Sequence, residues 1–341
     1  MSKSNSSVTS LDLRNSGVIG TGSRKGGRAI AQYGIFVIFG GFYTLITIFR
    51  PSFFSLGNLY DILIDTSLIS FVSWGEAIVI TAGNLDLSVG NVAGVAAMLT
   101  CHLLTNLGFG LPISLVMGVS VGGLVGLGNG LMVSRLNMNS LIATLGTMFV
   151  LIGPLFWITN GVMVTVVPES FSYLGNGTFM NIPIPIYIMA AVFLFCYLFL
   201  EKTKLGRNIQ MIGQNIEACR FSGIDVRNLA LLTFIFCGLL STFSGILLAA
   251  RQSLGNVTLG DRFVLEAFIA SMLGTVIFNG KNVITGTLFG AIFLVSVSNG
   301  LTLLGAGPEW MYFSQGSLLL VAILANYYSK RSRLKITGPK K

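Results

Sequence analysis

Long apolar runs dominate the chain, and short polar breaks separate them. A helix needs about 20 mainly apolar residues to cross the hydrocarbon core of a bilayer. Continuous runs of this kind favour helices over the alternating pattern of membrane β-strands. The sequence therefore predicts an all-α membrane protein with about ten transmembrane helices. The predicted spans cover residues 30–49, 62–82, 87–107, 111–133, 139–159, 184–200, 229–250, 263–279, 283–303 and 310–328.

The basic residues lie almost entirely on one side of this predicted arrangement. Ten spans place both termini on the same side, and 18 of the 21 Lys and Arg residues fall there. The other side carries only Arg50, Arg251 and Arg262. Because cytoplasmic loops of membrane proteins are rich in Lys and Arg, both termini are predicted to be cytoplasmic. The net charge of +9 is then a topology signal, and no nucleic-acid partner is needed to explain it.

Composition agrees with a multi-pass membrane protein. Only 10% of the 341 residues are charged, against about 25% in soluble domains. This low charge argues against a cytosolic enzyme or a nucleic-acid-binding domain. Cys101, Cys196, Cys219 and Cys237 have no metal-ligand spacing, and His102 has no nearby Cys or His partner. No metal site and no catalytic residues are predicted.

The predicted domain organisation is simple. Residues 1–29 are polar and basic and are predicted to form a disordered cytoplasmic tail, and 329–341 form a second basic cytoplasmic tail. Residues 30–328 form the transmembrane domain. It contains two longer polar stretches, an external loop over 160–183 and a cytoplasmic loop over 201–228.

Two short sequences recur about half the chain apart. Asn129-Gly130-Leu131 and Asn299-Gly300-Leu301 are offset by 170 residues. Gly83-Asn84-Leu85-Asp86-Leu87 and Gly255-Asn256-Val257-Thr258-Leu259 are offset by 172. Together they predict two five-helix halves, which are inverted because five is odd; chance similarity in a Gly- and Leu-rich chain is the alternative. Inverted repeats are common in transporters, with the path at the repeat interface.

Two polar or small-residue stripes have both a packing and a functional interpretation. Gly recurs every fourth position in the fourth span and predicts close helix packing, with a smooth pore face as the alternative. Ser140, Thr144 and Thr147 share one face of the fifth span, where they face a path or form interhelical hydrogen bonds. The four glycines are Gly118, Gly122, Gly126 and Gly130.

Several polar residues interrupt the apolar spans. Asp86 and Ser88 either cap the helix that begins near Leu87 or form a hinge or gate. Glu76 and Glu266 lie inside spans, where a carboxylate is costly and faces a cavity or a partner such as Arg262 or Trp74. The candidates for a translocation path or gate are Glu76, Asn84, Asp86, Ser88, Asn129, Thr144, Glu266 and Asn299.

The cytoplasmic loop contains a short segment with helix boundary signals. Asn215 is a plausible N-cap and Gly223 a plausible C-cap. Glu217 falls early in the segment and Arg220 late, which suits the helix dipole. A helix of two turns cannot bury a core alone, so it is expected to dock onto another surface. The alternative is a solvated basic loop held to anionic lipid.

At this loop the chain resembles the bacterial ribose/xylose/galactose-type ABC sugar permeases. The loop signature is Gly206-Arg207, Ile212-Gly213-x-Asn215 and Ala218-x-Arg220-x-Ser222-Gly223-Ile224. Asn84-Leu85-Asp86-Leu87-Ser88-Val89-Gly90 is similar to the membrane motif of that family, and the resemblance runs from about residue 55 to 328. Asn84 in place of a Gly, Gln214 in place of a Gly and Glu76 in place of an apolar residue depart from the pattern.

The resemblance implies a permease for a monosaccharide or related polyol. A separate ATPase subunit, a periplasmic or lipid-anchored sugar-binding protein, and a second permease copy or a related permease are the implied partners. No cofactor is expected, since the partner subunit uses the ATP. The residues implied to couple to the ATPase are Gly213, Asn215, Glu217, Ala218, Arg220, Ser222 and Gly223.

One feature of the residues supports this independently of the resemblance. The chain has no Gly-x-x-x-x-Gly-Lys-[Ser/Thr] motif, which an ATPase needs to cradle phosphates. Two alternatives remain open at this point. One is an ion- or proton-coupled carrier that uses Glu76, Asp86 and Glu266, and the other is a membrane enzyme, for which only scattered polar residues speak.

Overall fold

Helices make up most of the computed structural model, which describes residues 37, 39–165, 167–256, 258–278 and 282–337. A 3₁₀ turn covers Pro51–Phe54, and a short hairpin pairs β1 (Thr178–Phe179) with β2 (Ile182–Pro183). The last turn of α7 continues as a π turn over Leu198–Lys202. The helices are α1 (Phe39–Phe49), α2 (Leu56–Thr81), α3 (Val89–Thr105), α4 (Leu111–Ser134), α5 (Ser140–Thr159), α6 (Glu169–Asn176), α7 (Ile184–Tyr197), α8 (Lys204–Ile212), α9 (Ile216–Phe221), α10 (Val226–Gln252), α11 (Asp261–Ile277), α12 (Val283–Leu303) and α13 (Pro308–Thr337).

Each predicted span overlaps one of these helices. Within the described residues, six helices are long and apolar enough to cross a membrane. These six are α2, α4, α5, α7 with its π turn, α10 and α12, and the apolar helices α1 and α3 are shorter. An all-α membrane protein accounts for this set.

Several predicted boundaries are wrong because hydropathy does not detect polar helical turns. The second helix begins at Leu56 rather than at 62, since Ser55 Oγ accepts the Asn58 N–H and caps a polar first turn. The last helix runs to Thr337, so the predicted tail over 329–341 is helical over most of its length. The predicted tail over 1–29 lies outside the described residues. The predicted external loop, 160–183, contains α6 and the hairpin.

The centre of the bundle is the crossing of α2 and α10. The Val72 N–H donates to Ser244 Oγ at 3.0 Å, and Gly75 lies against the backbone of Cys237. Helix α12 also packs on this centre, where Trp74 Nε1 of α2 donates to the Ile284 carbonyl of α12 at 3.1 Å. Every residue of α2 from Thr66 to Val79 is buried, so this part of the helix packs against neighbours on all sides.

The glycine stripe of α4 packs against neighbouring helices, as the packing interpretation predicts. A side chain at Gly122 would overlap the carbonyl oxygen of Gly238, and one at Gly126 would overlap that of Phe234. All four stripe glycines are buried. These positions let the α4 and α10 backbones come into contact.

One pair of helices has the lengths and spacing that the predicted repeat requires. Helices α3 and α11 have 17 residues each, and their first residues, Val89 and Asp261, are 172 positions apart. Gly90 and Gly260 lie so close that a side chain at either one would overlap the other's carbonyl oxygen. Two helices of equal length at this spacing fit the predicted two-repeat plan.

Contacts between loops define two ends of the bundle. At one end, called the α9 end, Gly213 packs on Thr81 and the N–H of Val283 donates to Glu201. At the opposite end, called the α6 end, Val164 pairs with Gly255 in a β-bridge.

Adding one methyl group at Gly122 should destabilise the protein. We expect Gly122→Ala to push α4 and α10 apart and to cost about 1–3 kcal/mol, as overpacking does. Gly128→Ala on the same helix is the matched control, because nothing lies within 4 Å of its added Cβ. Thermal unfolding in detergent measures both variants. Equal melting temperatures would contradict the packing role of the stripe.

Candidate functional site

The α9 segment has the caps that its sequence predicts. Asn215 Oδ1 accepts the Ala218 N–H at 3.0 Å. At the other end, Gly223 has a φ of +73°, and the Ile224 N–H reaches the Cys219 carbonyl at 3.0 Å. This is a Schellman stop, which requires the left-handed backbone that glycine adopts without strain. The helix spans six residues and is preceded by α8, an amphipathic helix that hydropathy did not predict.

The two faces of α9 differ sharply. Cys219 is buried at 2% exposure and fixes the helix to the bundle, while Phe221 is 91% exposed. Glu217 and Arg220 form an exposed ion pair at 3.0 Å beside it. Sequence reasoning missed Phe221, although an aromatic residue in a short polar helix is the signal that identifies it. The helix therefore exposes an aromatic ring, Phe221, next to an ion pair.

All seven predicted coupling residues are exposed. The Ser222 hydroxyl donates to the Ala218 carbonyl within the helix. Gly213 is exposed on one side, but a side chain built on it would overlap the Thr81 carbonyl oxygen and approach the Gly83 N–H. The α9 loop is therefore packed directly on the polar break after α2.

A chain of buried hydrogen bonds starts at that break. Ser88 Oγ donates to Asp86 Oδ1 at 2.6 Å. Asn129 Nδ2 donates to Ser88 Oγ at 2.9 Å, and Thr147 Oγ1 donates to Asn129 Oδ1 at 2.6 Å. Asp86, Ser88 and Asn129 are buried. The chain joins the break to α4 and α5.

The polar stripe of α5 also holds the break. Thr144 Oγ1 accepts the Leu87 N–H at 3.1 Å, and Ser140 Oγ accepts the Leu85 N–H at 3.2 Å. The stripe therefore forms hydrogen bonds to another segment, one of its two interpretations. Ser88 occupies the N-cap of α3 but its side chain makes no cap hydrogen bond, so the predicted capping by Ser88 is wrong.

Glu76 is buried inside the bundle and contacts the same break. Its Oε1 accepts the Asp86 N–H at 3.4 Å. Its Oε2 has no hydrogen-bond partner among the described residues. Asn84 is half-buried, and its N–H donates to the Val79 carbonyl.

A second polar region lies at the α6 end, in a cavity of about 840 Å³. Glu266 lies in its wall and accepts from Arg262 Nε at 3.1 Å and from Gln315 Nε2 at 3.4 Å. Asn299 forms two amide hydrogen bonds with Asn58, at 3.0 and 2.9 Å. The other polar lining residues are Asp65, Gln252, Asn256, Thr258, Asp261, Ser298, Thr302 and Tyr312.

The eight predicted path residues thus divide into two groups. Glu76, Asp86, Ser88, Asn129 and Thr144 come together near the α9 end, and Asn84 lies in the same break. Glu266 and Asn299 line the cavity at the α6 end.

Sequence reasoning missed a group of charged residues next to Asp65 of the cavity wall. Asp61 and Asp65, one helical turn apart, both lie 3.8 Å from Arg251. The sequence signal that could have identified them is the four-residue spacing of Asp61 and Asp65, which places both carboxylates on one face of α2. Pairing of Glu266 with Arg262 is confirmed, whereas Trp74 bonds to a backbone carbonyl instead.

Comparison with known proteins identifies the family to which this chain belongs. Residues 58–323 match the family described as "Branched-chain amino acid transport system / permease component". The chain belongs to this permease family. No solved structure matches it.

Curated relatives of this permease are sugar transporters. It is 32% identical to the ribose import permease protein of Escherichia coli K12 over 83% of this chain and 89% of that one. It is 32% identical to the L-arabinose transport system permease protein of Escherichia coli K12, over 90% and 94%. It is 30% identical to the ribose import permease protein of Bacillus subtilis, over 82% and 88%. These relatives support a sugar-type ABC importer permease and a multi-pass protein of the inner membrane.

A cysteine placed in the cavity should react with a water-soluble thiol reagent. The four native cysteines are buried, so they leave a low background. We expect Ser298→Cys, in the cavity wall, to be labelled by a charged methanethiosulfonate. Ser296→Cys on the same helix is the control, because Ser296 is 1% exposed. Equal labelling of both variants, or of neither, would contradict a water-filled cavity.

Proposed function

We propose that this permease is the transmembrane subunit of an ATP-driven importer for a monosaccharide or a related small polyol. A separate ATPase subunit drives it through α9. The observation that carries the proposal is the exposed Phe221 on a helix that Cys219 fixes to the bundle. The sugar-permease relatives support the solute class.

The coupling proposal rests on the design of α9. Its caps hold a six-residue helix rigid without a core of its own. Buried aromatic anchors within a polar rim carry most of the energy of protein interfaces. Phe221 is the anchor, Glu217 and Arg220 are the rim, and Gly213 transmits the contact to the break after α2.

The path proposal assigns different work to the two polar regions. The cavity at the α6 end presents carboxylates, amides and an Arg, which are the groups that hydrogen-bond to sugar hydroxyls. Glu266 and Asn299 belong to it. The cluster of Glu76, Asp86, Ser88, Asn129 and Thr144 has its side chains bonded to one another and to the break, so it acts as an inner gate that must rearrange to open.

The topology and the partners complete the proposal. The α9 end faces the cytoplasm, since the positive-inside rule places the basic loop there. A periplasmic or lipid-anchored sugar-binding protein docks at the α6 end, over the loop at 160–183. Lipid and a second permease, either a copy or a relative, cover α4 and α5, whose spans are only 22% and 17% buried.

An ion- or proton-coupled carrier is the second candidate. The observation that favours it is the buried, unpartnered Glu76 Oε2. Asp86 and Glu266, the other carboxylates it needs, are already engaged by Ser88 and by Arg262.

Sugar uptake should depend on the partner ATPase and not on the proton gradient. We expect uptake by cells expressing the full system to vanish when the ATPase gene is deleted, because this chain lacks a phosphate-binding loop. Radiolabelled ribose and arabinose are suitable probes, and wild-type cells are the control. Uptake that survives deletion but stops with a protonophore at constant ATP would establish the carrier instead.

Removing the Phe221 ring should detach the ATPase. An interface anchor contributes about 2 kcal/mol or more, so Phe221→Ala should weaken ATPase binding about 30-fold. Co-purification of the two subunits from membranes measures this. Phe195→Ala is the control, since Phe195 is 53% exposed on α7, away from α9.

A charge swap tests the contact of α9 with the ATPase separately from the folding of α9. Glu217→Arg combined with Arg220→Glu preserves an internal ion pair, so α9 should fold and the protein should insert normally. We expect uptake to be lost because the charges presented to the ATPase are reversed. Unchanged uptake in both the Phe221 and the charge-swap variants would overturn the assignment of α9.

A further inference from the structure

The first turn of α12 is held by a side chain from a different part of the chain. The first N–H groups of any helix lack intrahelical acceptors and need outside partners. Asn282, the N-cap residue, is in the left-handed region at φ +50° and its side chain makes no cap hydrogen bond. Glu201 Oε1 accepts the Val283 N–H instead, at 2.8 Å. A carboxylate at this position also interacts favourably with the helix dipole.

Glu201 belongs to the segment that carries the α9 loop. It lies in the π turn after α7, and a side chain at Gly206 of α8 would overlap the Leu200 carbonyl oxygen of that turn. Gln210 Nε2 of α8 donates to the Leu200 carbonyl at 3.1 Å and to Glu201 Oε2 at 3.4 Å. One carboxylate therefore bonds to α8 through one oxygen and to α12 through the other.

The far end of α12 reaches the cavity. Asn299 lies 16 residues after Val283, which is about 24 Å along a helix. Ser298, Asn299 and Thr302 line the cavity wall. The helix is packed tightly on α11, where Gly286 and Gly290 lie against the backbone of Gly274 and Ala270. A displacement at its first turn is thus carried along a rigid element.

We propose that Glu201 is a positioning residue that links the cytoplasmic loop to α12, so that movement of α8 and α9 reaches the cavity. This rests on the proposed function, and it adds a second connection beside the contact of Gly213 with the break after α2. Gln210 is the loop-side half of the link, and the Val283 N–H is the α12-side half. Loss of the link should leave the ATPase bound and active but should uncouple it from transport.

The test measures sugar imported per ATP hydrolysed in proteoliposomes that contain the whole transporter. We expect Glu201→Ala to lower this ratio about five-fold or more, a typical coupling effect, with normal abundance and ATPase co-purification. Gln210→Ala should act in the same direction. The double variant should lose no more than Glu201→Ala alone, because both changes remove one link. Glu201→Gln keeps an acceptor for Val283 and should restore part of the ratio.

A matched control separates a link from a merely structural bond. Thr203 Oγ1 accepts the Gly206 N–H at 3.0 Å and donates to the Phe199 carbonyl at 2.6 Å, so it caps α8 through bonds within its own segment. Thr203→Ala should lower thermal stability while the sugar-to-ATP ratio stays at the wild-type value. A normal ratio in Glu201→Ala, or a loss that only follows its abundance, would overturn the proposal.

A second measurement does not depend on transport at all. Hydrogen exchange of the peptide covering residues 283–290 should accelerate in Glu201→Ala and stay unchanged in Thr203→Ala. If wild-type uptake does not require the ATPase, the proposed function fails, yet this exchange still reports on the link. Unchanged exchange in Glu201→Ala would show that the carboxylate does not hold α12.

Discussion

A backbone N–H inside a bilayer finds no water to bond to, so a break in a helix needs acceptors from elsewhere in the chain. This constraint organises the structure. The break after α2 exposes the backbone N–H groups of Leu85 and Leu87, and the hydroxyls of Ser140 and Thr144 accept from them. The first turn of α12 has the same need, and a carboxylate meets it. Each solution ties together segments that are distant in sequence.

Close contact between backbones makes these ties possible. Glycines along α4 meet α10, and Gly90 meets Gly260 between the repeats. Without side chains at these positions, helices approach until polar side chains reach across to neighbouring backbones, as Ser244 does to Val72. The helices of the core therefore behave as connected rigid elements.

The polar residues form two groups, one at each end of the bundle. The α9 end carries the exposed Phe221 and, nearby, a cluster of buried side chains joined by hydrogen bonds. The α6 end opens into a cavity with carboxylates, amides and Arg262 in its wall. A solute arriving at one end and a driving protein at the other are separated by the length of the helices. Transport on the proposed plan requires connections along those helices, and we propose that Gly213 and Glu201 provide them.

The sequence alone determined the helices, the caps of α9 and the family, because apolar length, capping residues and local motifs act between near neighbours. It predicted Asn215 and Gly223 as caps, and it predicted Glu76, Asp86 and Asn129 as functional without showing that they lie together. Hydropathy missed α8 and the polar ends of α2 and α13, since a helix with a polar face does not raise the local average. Only the tertiary structure decided that Glu266 and Asn299 lie apart from Asp86, that Phe221 is exposed, and that Glu201 caps α12. These are contacts between residues far apart in the chain, and their geometry depends on how the helices pack.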